Sequence, residues 1–388
     1  MRSSPLDCQS SRLPPTEATV DWWPLDFRLR TDREHVLRWF RHHLYSVTGG
    51  PPTRGRQVPL TAVVDADLAD RIRRRALSGP TEPRPGFLGE MWTVGQVDGE
   101  SVWCSPDAPG GSGPGAVVVA DGPAYHVIAA DDHHVANTSV RVARELLRMC
   151  LAQRGALTVH ASMAANPRQG GLLFVGGTGA GKTTLAATMA RSGGYLVSVD
   201  QTEVLAEDGS QPYGVGFPWP ARLGVGMLTG MDRDDAVTVL SLLRAQKPVR
   251  DGQLTMESRR FRSLDKIELS LLELDTVLGI VTLDRAPING VVLVETGPPG
   301  APAQIGRSSL ADAREHLRGE FREPDPVFDS FWLTPLGHSG PPTGTYDALC
   351  AILHDTPFVR LRWRADEHSA EDTLRRVAVA LEGEDPDR

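Results

Sequence analysis

Lysine is almost missing from this chain. It stands at three positions, Lys182, Lys247 and Lys266, among 41 basic residues, so arginine carries nearly all the positive charge and each lysine is a candidate for a place that requires a compact ammonium. Positive charge is itself in deficit. Against those 41 residues stand 49 acidic ones, a formal net charge of −8, which gives no electrostatic footprint for a nucleic-acid backbone or an anionic membrane surface. Long apolar runs are also lacking: no segment approaches the ~18 residues that a membrane span needs, and the N-terminus has no charged stretch leading into an apolar one. A cytoplasmic location, with neither membrane nor nucleic acid as partner, is expected. Cys8, Cys104, Cys150 and Cys350 lie far apart with no CxxC spacing and no zinc-type cluster, so they are expected as bystander thiols. No repeat of fixed period is present.

What is there suffices for a core. Of 388 residues 40% are hydrophobic and 23% charged, ordinary for a globular chain, while 39 Gly and 30 Pro point to many loops. The length predicts two units. Residues 1–19, rich in Ser, Pro and Thr, are expected as a flexible leader, and 20–136 as an α+β module with substrate or partner recognition as its possible task. Within it, 33–44 and 67–77 have helical patterning, and 59–64, 91–104 and 116–120 strand patterning. Asn137-Thr138-Ser139 offers N-cap chemistry for a helix to about residue 153, with Gly155 as its C-terminal stop. Residues 137–320 form an expected α/β nucleotide-binding domain, and 321–388 a C-terminal region packing on it, with a strand at 358–363 and a helix at 370–381. Inside the domain, 156–162 and 171–176 predict strands joined by a turn, 211–220 a Pro/Gly/aromatic loop, 234–245 and 265–277 helices, and 290–295 a buried strand.

The most informative segment is Gly176-Gly177-Thr178-Gly179-Ala180-Gly181-Lys182-Thr183, followed by Thr184. It has the GxxxxGK[ST] spacing of a phosphate-binding loop, in which glycines let successive backbone N–H groups converge on a phosphate and the following helix adds its positive end. Lys182 would bridge phosphate oxygens and the Thr183 hydroxyl would bind Mg²⁺. The apolar run Leu172-Leu173-Phe174-Val175 before it and a helix from Lys182 after it supply the context that this motif requires.

Asp200 closes the apolar strand Tyr195-Leu196-Val197-Ser198-Val199. An acid at that place can hold Mg²⁺ through water, accept the proton of an attacking hydroxyl, or merely cap the turn at Gln201-Thr202. Glu203 is expected as a solvated companion. His160, in Val159-His160-Ala161-Ser162, is either a satisfied core histidine or a proton relay facing the phosphate.

With these residues in place, the stretch from Val159 to Leu205 resembles the bacterial HPr kinase/phosphorylase family and its relatives encoded with peptide-modifying and PqqD-like proteins. The resemblance implies an HPr kinase/PEP carboxykinase-like P-loop fold preceded by the α+β module. It implies ATP as substrate, with GTP possible, and Mg²⁺. In the implied site Asp200 and His160 flank the transferred phosphoryl group, Lys182 and Thr183 hold phosphates and metal, and Asp200 is base, metal ligand or both. The implied reaction is phosphorylation of a serine-like hydroxyl on a peptide or small molecule, in keeping with peptide natural-product biosynthesis; a homo-oligomer is possible. Two departures stand out: Val199 takes the place of the family's first acid, and of its downstream acid-Ile-Arg-Gly signature only Glu268, Glu273 and Glu295 are loose substitutes. A second reading is a nucleotide-dependent switch or accessory NTPase acting on a protein partner, for which Gln201 is the candidate to direct water.

Overall fold

The computed structural model describes residues 16–45, 55–86, 90–106, 115–167, 170–207, 211–224, 266–322, 331–340 and 344–384. The chain is mixed α/β with two large mixed sheets. Its contacts divide it into two units, Met1–Arg154 with Pro324–Thr343, and Gly155–Glu323 with Gly344–Arg388.

The first unit contains β1 (Thr16–Trp22), β2 (Leu25–Thr31), α1 (Glu34–His43), β3 (Arg56–Val64), α2 (Ala66–Leu77), β4 (Glu82–Pro85), β5 (Met91–Val97), β6 (Glu100–Cys104), β7 (Val117–Asp121), β8 (Ala124–Ala129) and α3 (Asp132–Gln153). Its sheet runs β1-β2-β3-β8-β7-β6-β5-β4, parallel only where β3 meets β2 and β8. Strict alternation in β1 and β2 gives each one buried and one exposed face. Leu68, Ala69, Ile72 and Ala76, at helical spacing along α2, close over Val97, Val102, Val117 and Val119 of the sheet. Residues 331–340 return to this unit, where Trp332 stacks on Trp92 with centroids 4.2 Å apart and the Thr334 carbonyl accepts from the Trp103 indole at 3.3 Å.

Expectations for this unit change, and the stretch 91–104 is the hairpin of β5 and β6. Strand β1 starts at Thr16, inside the expected leader. The α3 helix begins five residues before Asn137, because Asp131 is the better cap: its carboxylate accepts from the His134 N–H at 2.9 Å. Asn137, Thr138 and Ser139 lie within the helix, where the Ser139 hydroxyl bonds back to the Val135 carbonyl at 2.8 Å. The expected boundary after residue 136 therefore falls inside α3, and the stretch expected as one C-terminal region is shared between the units.

The second unit contains β9 (Leu157–Val159), β10 (Ala161–Asn166), β11 (Gly170–Val175), α4 (Lys182–Arg191), β12 (Tyr195–Ser198), β13 (Thr202–Leu205), β14 (Tyr213–Val215), β15 (Ala221–Gly224), β16 (Lys266–Leu269), α5 (Leu271–Leu278), β17 (Arg285–Thr296), β18 (Gln304–Ser308), α6 (Leu310–Glu320), α7 (Tyr346–Ile352), β19 (Phe358–Trp363) and α8 (Ala370–Glu382). Strand β17 organises its nine-stranded sheet. The first residues of β17 pair antiparallel with β14, and the later ones run parallel between β11 and β19. Val291 to Val294 and Leu172 to Val175 are all buried, the near-continuous apolar pattern of strands covered on both faces. Each such side chain contributes about 1.5–3 kcal/mol relative to exposure. One face carries Ala313 and Leu317 of α6 and Leu349 of α7 against Leu173, Val175 and Leu293.

Of the residues 265–277, expected as one helix, the described ones from 266 on form a strand and a helix. Lys266-Ile267-Glu268-Leu269 pairs with β15, and a capping box between Ser270 and Glu273 starts α5 at Leu271. Strand β14 lies within the expected 211–220 loop. Strand β12 stops at Ser198 rather than continuing to Asp200. The expected helix at 234–245 lies outside the described residues. Among the described residues no helix is long and apolar enough to cross a membrane.

Candidate functional site

Strand β11 ends at Val175, and the chain turns through residues 176–181 before α4 begins at Lys182. Glycine is demanded at two of these positions. A Cβ at Gly176 would lie 2.1 Å from the Val294 carbonyl oxygen of the neighbouring strand, and one at Gly181 would lie 2.7 Å from the Trp363 ring, on a residue whose φ is +96°. Trp363, buried at the end of β19, also donates its indole N–H to the Ala180 carbonyl at 2.9 Å. The parallel pair β17 and β19 thus moulds the loop from beneath.

Lys182 is buried at the first position of α4. Its ammonium donates to the Gly176 carbonyl, to the Gly177 carbonyl at 3.3 Å, and lies 3.3 Å from His160 Nε2. The Thr183 hydroxyl is 3.4 Å from that of Ser162, which is fully buried on β10. Thr184 follows, half-buried on the first turn of α4.

His160 does not sit within a strand, as expected, but at a break. Strand β9 pairs with β13, and β10 with β11 and β12. Between them the His160 N–H leaves the ladder and donates to the Glu320 carbonyl at 2.8 Å, while Val159 bridges Phe321. The ring is held at both nitrogens: Nδ1 lies 2.5 Å from Glu320 Oε2, and Nε2 lies 3.2 Å from Asp200 Oδ1. Because a carboxylate only accepts, the Glu320 contact requires the proton on Nδ1. Nε2 then accepts from Lys182 when the ring is neutral, or donates to Asp200 when it is charged.

Asp200 takes a left-handed backbone, φ +69°, which Asp tolerates better than most residues. The Thr202 hydroxyl holds this turn by bonding to that of Ser198 and to the Ala161 carbonyl at 3.2 Å. The Asp200 side chain is 60% exposed. Its carboxyl is lowered from 3.8 to about 2, first by the hydrogen bond with His160 and then by the positive charges of His160, Arg322 and Lys182; partial burial works the other way.

The structure therefore brings His160, Lys182, Thr183 and Asp200 to one place, at the end of β11. It also adds Glu320, which the sequence reading missed. No local signal points to Glu320, which lies 160 residues from its partner. One turn earlier on α6, His316 reaches the Val175 carbonyl at 3.3 Å and lies 3.9 Å from Glu295, so α6 supports the loop and holds His160 with residues at i and i+4 spacing.

The remaining candidates separate. Glu203 is buried rather than solvated: it accepts from the Thr158 hydroxyl at 2.9 Å and from the Gln201 amide at 3.0 Å. Of the three loose acidic substitutes, Glu273 serves the α5 capping box, Glu268 lies 3.4 Å from Arg222, and only Glu295 approaches the loop, through His316. Phe217 and Trp219 stack on each other, with Phe217 buried. The Lys266 side chain lies outside the described residues.

A scan against family models matches no family, and a search of curated proteins finds no match.

Proposed function

We propose that this chain is a Mg²⁺-dependent kinase of the HPr kinase/PEP carboxykinase-like P-loop class, moving the γ-phosphoryl group of ATP to a serine-like hydroxyl on a peptide or small molecule. The observation that carries this reading is the meeting of the glycine loop and Lys182 with the Glu320–His160–Asp200 line within hydrogen-bond distances. A loop of backbone N–H groups ahead of a helix N-terminus is a phosphate cradle, and an ammonium beside it neutralises phosphate charge.

Among the described residues no three His, Cys, Asp or Glu side chains are arranged to hold a metal ion. Mg²⁺ asks for less, since it takes one or two protein oxygens and draws the rest from phosphate and water. The Thr183 hydroxyl and the Asp200 carboxylate would be the oxygens that hold it, and the ion would supply neutralisation of phosphate charge. Asp200 orients the acceptor hydroxyl and takes its proton. With its carboxyl held down to about 2, it is a weak base whose main contribution is orientation.

The Gln201 amide donates to Glu203, which supports transfer to an acceptor over activation of water by that residue. The test is incubation with γ-labelled ATP or GTP, Mg²⁺ and hydroxyl acceptors encoded beside this chain's gene, read by intact mass. The expected result is one added phosphate on an acceptor, lost in Lys182→Ala and Asp200→Asn. Phosphate release with no acceptor labelled would overturn the kinase reading in favour of the nucleotide-dependent switch.

A further inference from the structure

We propose that Trp363 is a positioning residue for the phosphate loop: its indole holds the peptide between Ala180 and Gly181 so that the Gly181 N–H is turned towards the β-phosphate of the nucleotide. The proposal rests on the phosphate-loop reading above and extends it to a residue far from the glycine motif in the chain.

Its basis is geometry. Trp363 is buried, at 1% exposure, and its Nε1–H donates to the Ala180 carbonyl at 2.9 Å. The same edge of the ring lies against Gly181, where a Cβ would come within 2.7 Å of Cζ2 and 3.2 Å of Nε1. A buried indole N–H needs a partner, and here the partner is a loop carbonyl. In a trans peptide the C=O and the N–H point in opposite directions. With the Ala180 oxygen drawn to the indole, the N–H of Gly181 points away from it. Gly181 is the N-cap of α4, so this N–H joins the free N–H groups that a helix start offers to an anion.

Two other side chains meet carbonyls of this segment, and they differ from Trp363 in permanence or in place. Lys182 donates to the Gly176 and Gly177 carbonyls, but an ammonium that bridges phosphate oxygens exchanges those bonds when nucleotide binds. His316 reaches the Val175 carbonyl at 3.3 Å, ahead of the glycines. Trp363 is fixed through its own backbone: it closes the parallel pairing of β19 with β17 opposite Thr296, and its carbonyl accepts from the Gly297 N–H at 2.8 Å. The indole is thus the anchor that stays in place when nucleotide arrives. A cradle ordered beforehand spares the ligand that cost, and the gain is a charge-assisted bond from the Gly181 N–H to a phosphate oxygen. The β-phosphate remains bound while the γ-phosphoryl group leaves, so ground state and transition state share this bond. Its loss therefore raises KM for ATP more than it lowers kcat.

The experiment is proton–nitrogen NMR of the full chain labelled at the tryptophan indole nitrogen and titrated with ADP and Mg²⁺, alongside calorimetric ADP affinity and kinetics of transfer. The chain has eight tryptophans, and Trp363→Phe identifies the Trp363 resonance by its loss. In the wild-type protein that resonance is expected to shift saturably, with the same midpoint as the calorimetric titration. Trp363→Phe keeps a ring beside Gly181; it is expected to weaken ADP binding about tenfold and to raise KM for ATP by a similar factor, with kcat within about threefold. Leu361→Val, buried two residues earlier on the same face of β19, is the control for lost stability alone, with ADP affinity expected within about twofold of wild type. An indole resonance that ignores ADP, a Trp363→Phe variant that binds ADP like wild type or loses kcat at unchanged KM, or an equal loss of affinity in Leu361→Val would overturn the positioning role alone. Normal ADP binding with no acceptor phosphorylated would overturn the transfer reading and not this role. A wild-type protein that binds no ADP would overturn the phosphate-loop reading and the role of Trp363 with it.

Discussion

The glycine loop is one continuous stretch of chain, whereas the acid–imidazole line beside it is assembled from His160, Asp200 and Glu320, drawn from three separate segments. The loop is shaped by backbone. Gly176 and Gly181 lie where a side chain would strike Val294 or Trp363, and the one buried ammonium bonds to loop carbonyls. The line is shaped by side chains across as many as 160 residues. A backbone-built surface suffers when its conformation is disturbed. One built of side chains can keep its shape and still lose its arrangement of charge.

That contrast is sharpest in Lys182→Ala, which is expected to weaken nucleotide binding and lower transfer by about 10³-fold or more; isothermal titration with ATP and the phosphate-transfer assay check both. Asp200→Asn keeps the left-handed turn, because Asn also adopts it readily. Its expected effect is a loss of about 10²-fold in transfer with nucleotide affinity within about threefold. Equal losses of binding and transfer there would break the distinction between the two sides. On the loop side, Gly181→Ala places a Cβ against Trp363 at a φ of +96°, and the strain is expected to cost about 1–3 kcal/mol in denaturant unfolding. Trp363→Phe keeps the ring and removes the donor to Ala180, for an expected loss of about 1 kcal/mol by the same measurement.

The smallest expected effect is on acid stability. The Asp200 carboxyl falls from 3.8 to about 2 in the folded protein, so its contribution is present above the unfolded value, near pH 4, and is lost as pH falls through about 2. With the side chain 60% exposed, solvent and salt screen the interaction. The melting temperatures of wild type and Asp200→Asn are expected to converge over that interval, and more salt is expected to narrow the gap above it.

Much of the fold was legible locally. Helices α1, α2, α4 and α8 and strands β11, β17 and β19 follow from apolar periodicity, because their buried stripes repeat within a few residues. The split between β16 and α5 was also written locally, in the alternation of 266–269 and the Ser270/Glu273 capping box, but a helical period was preferred over it. Helix α6 was harder to see, since only Ala313 and Leu317 are buried along its length. The break at His160 could not be read at all: Val159 to Ser162 looks like one strand, and its division depends on Glu320 taking the His160 N–H out of the ladder.

By itself the sequence determined the glycine loop, Lys182, Thr183 and the placement of Asp200 after an apolar strand, because backbone freedom and helix start are properties of adjacent residues. Only the tertiary structure decided that Glu203 is spent on Thr158 and Gln201, and that Glu320 occupies the far side of His160. A hydrogen bond between residues so distant in the chain leaves no periodicity or spacing behind it; it exists only because α6 packs where β9 gives way to β10.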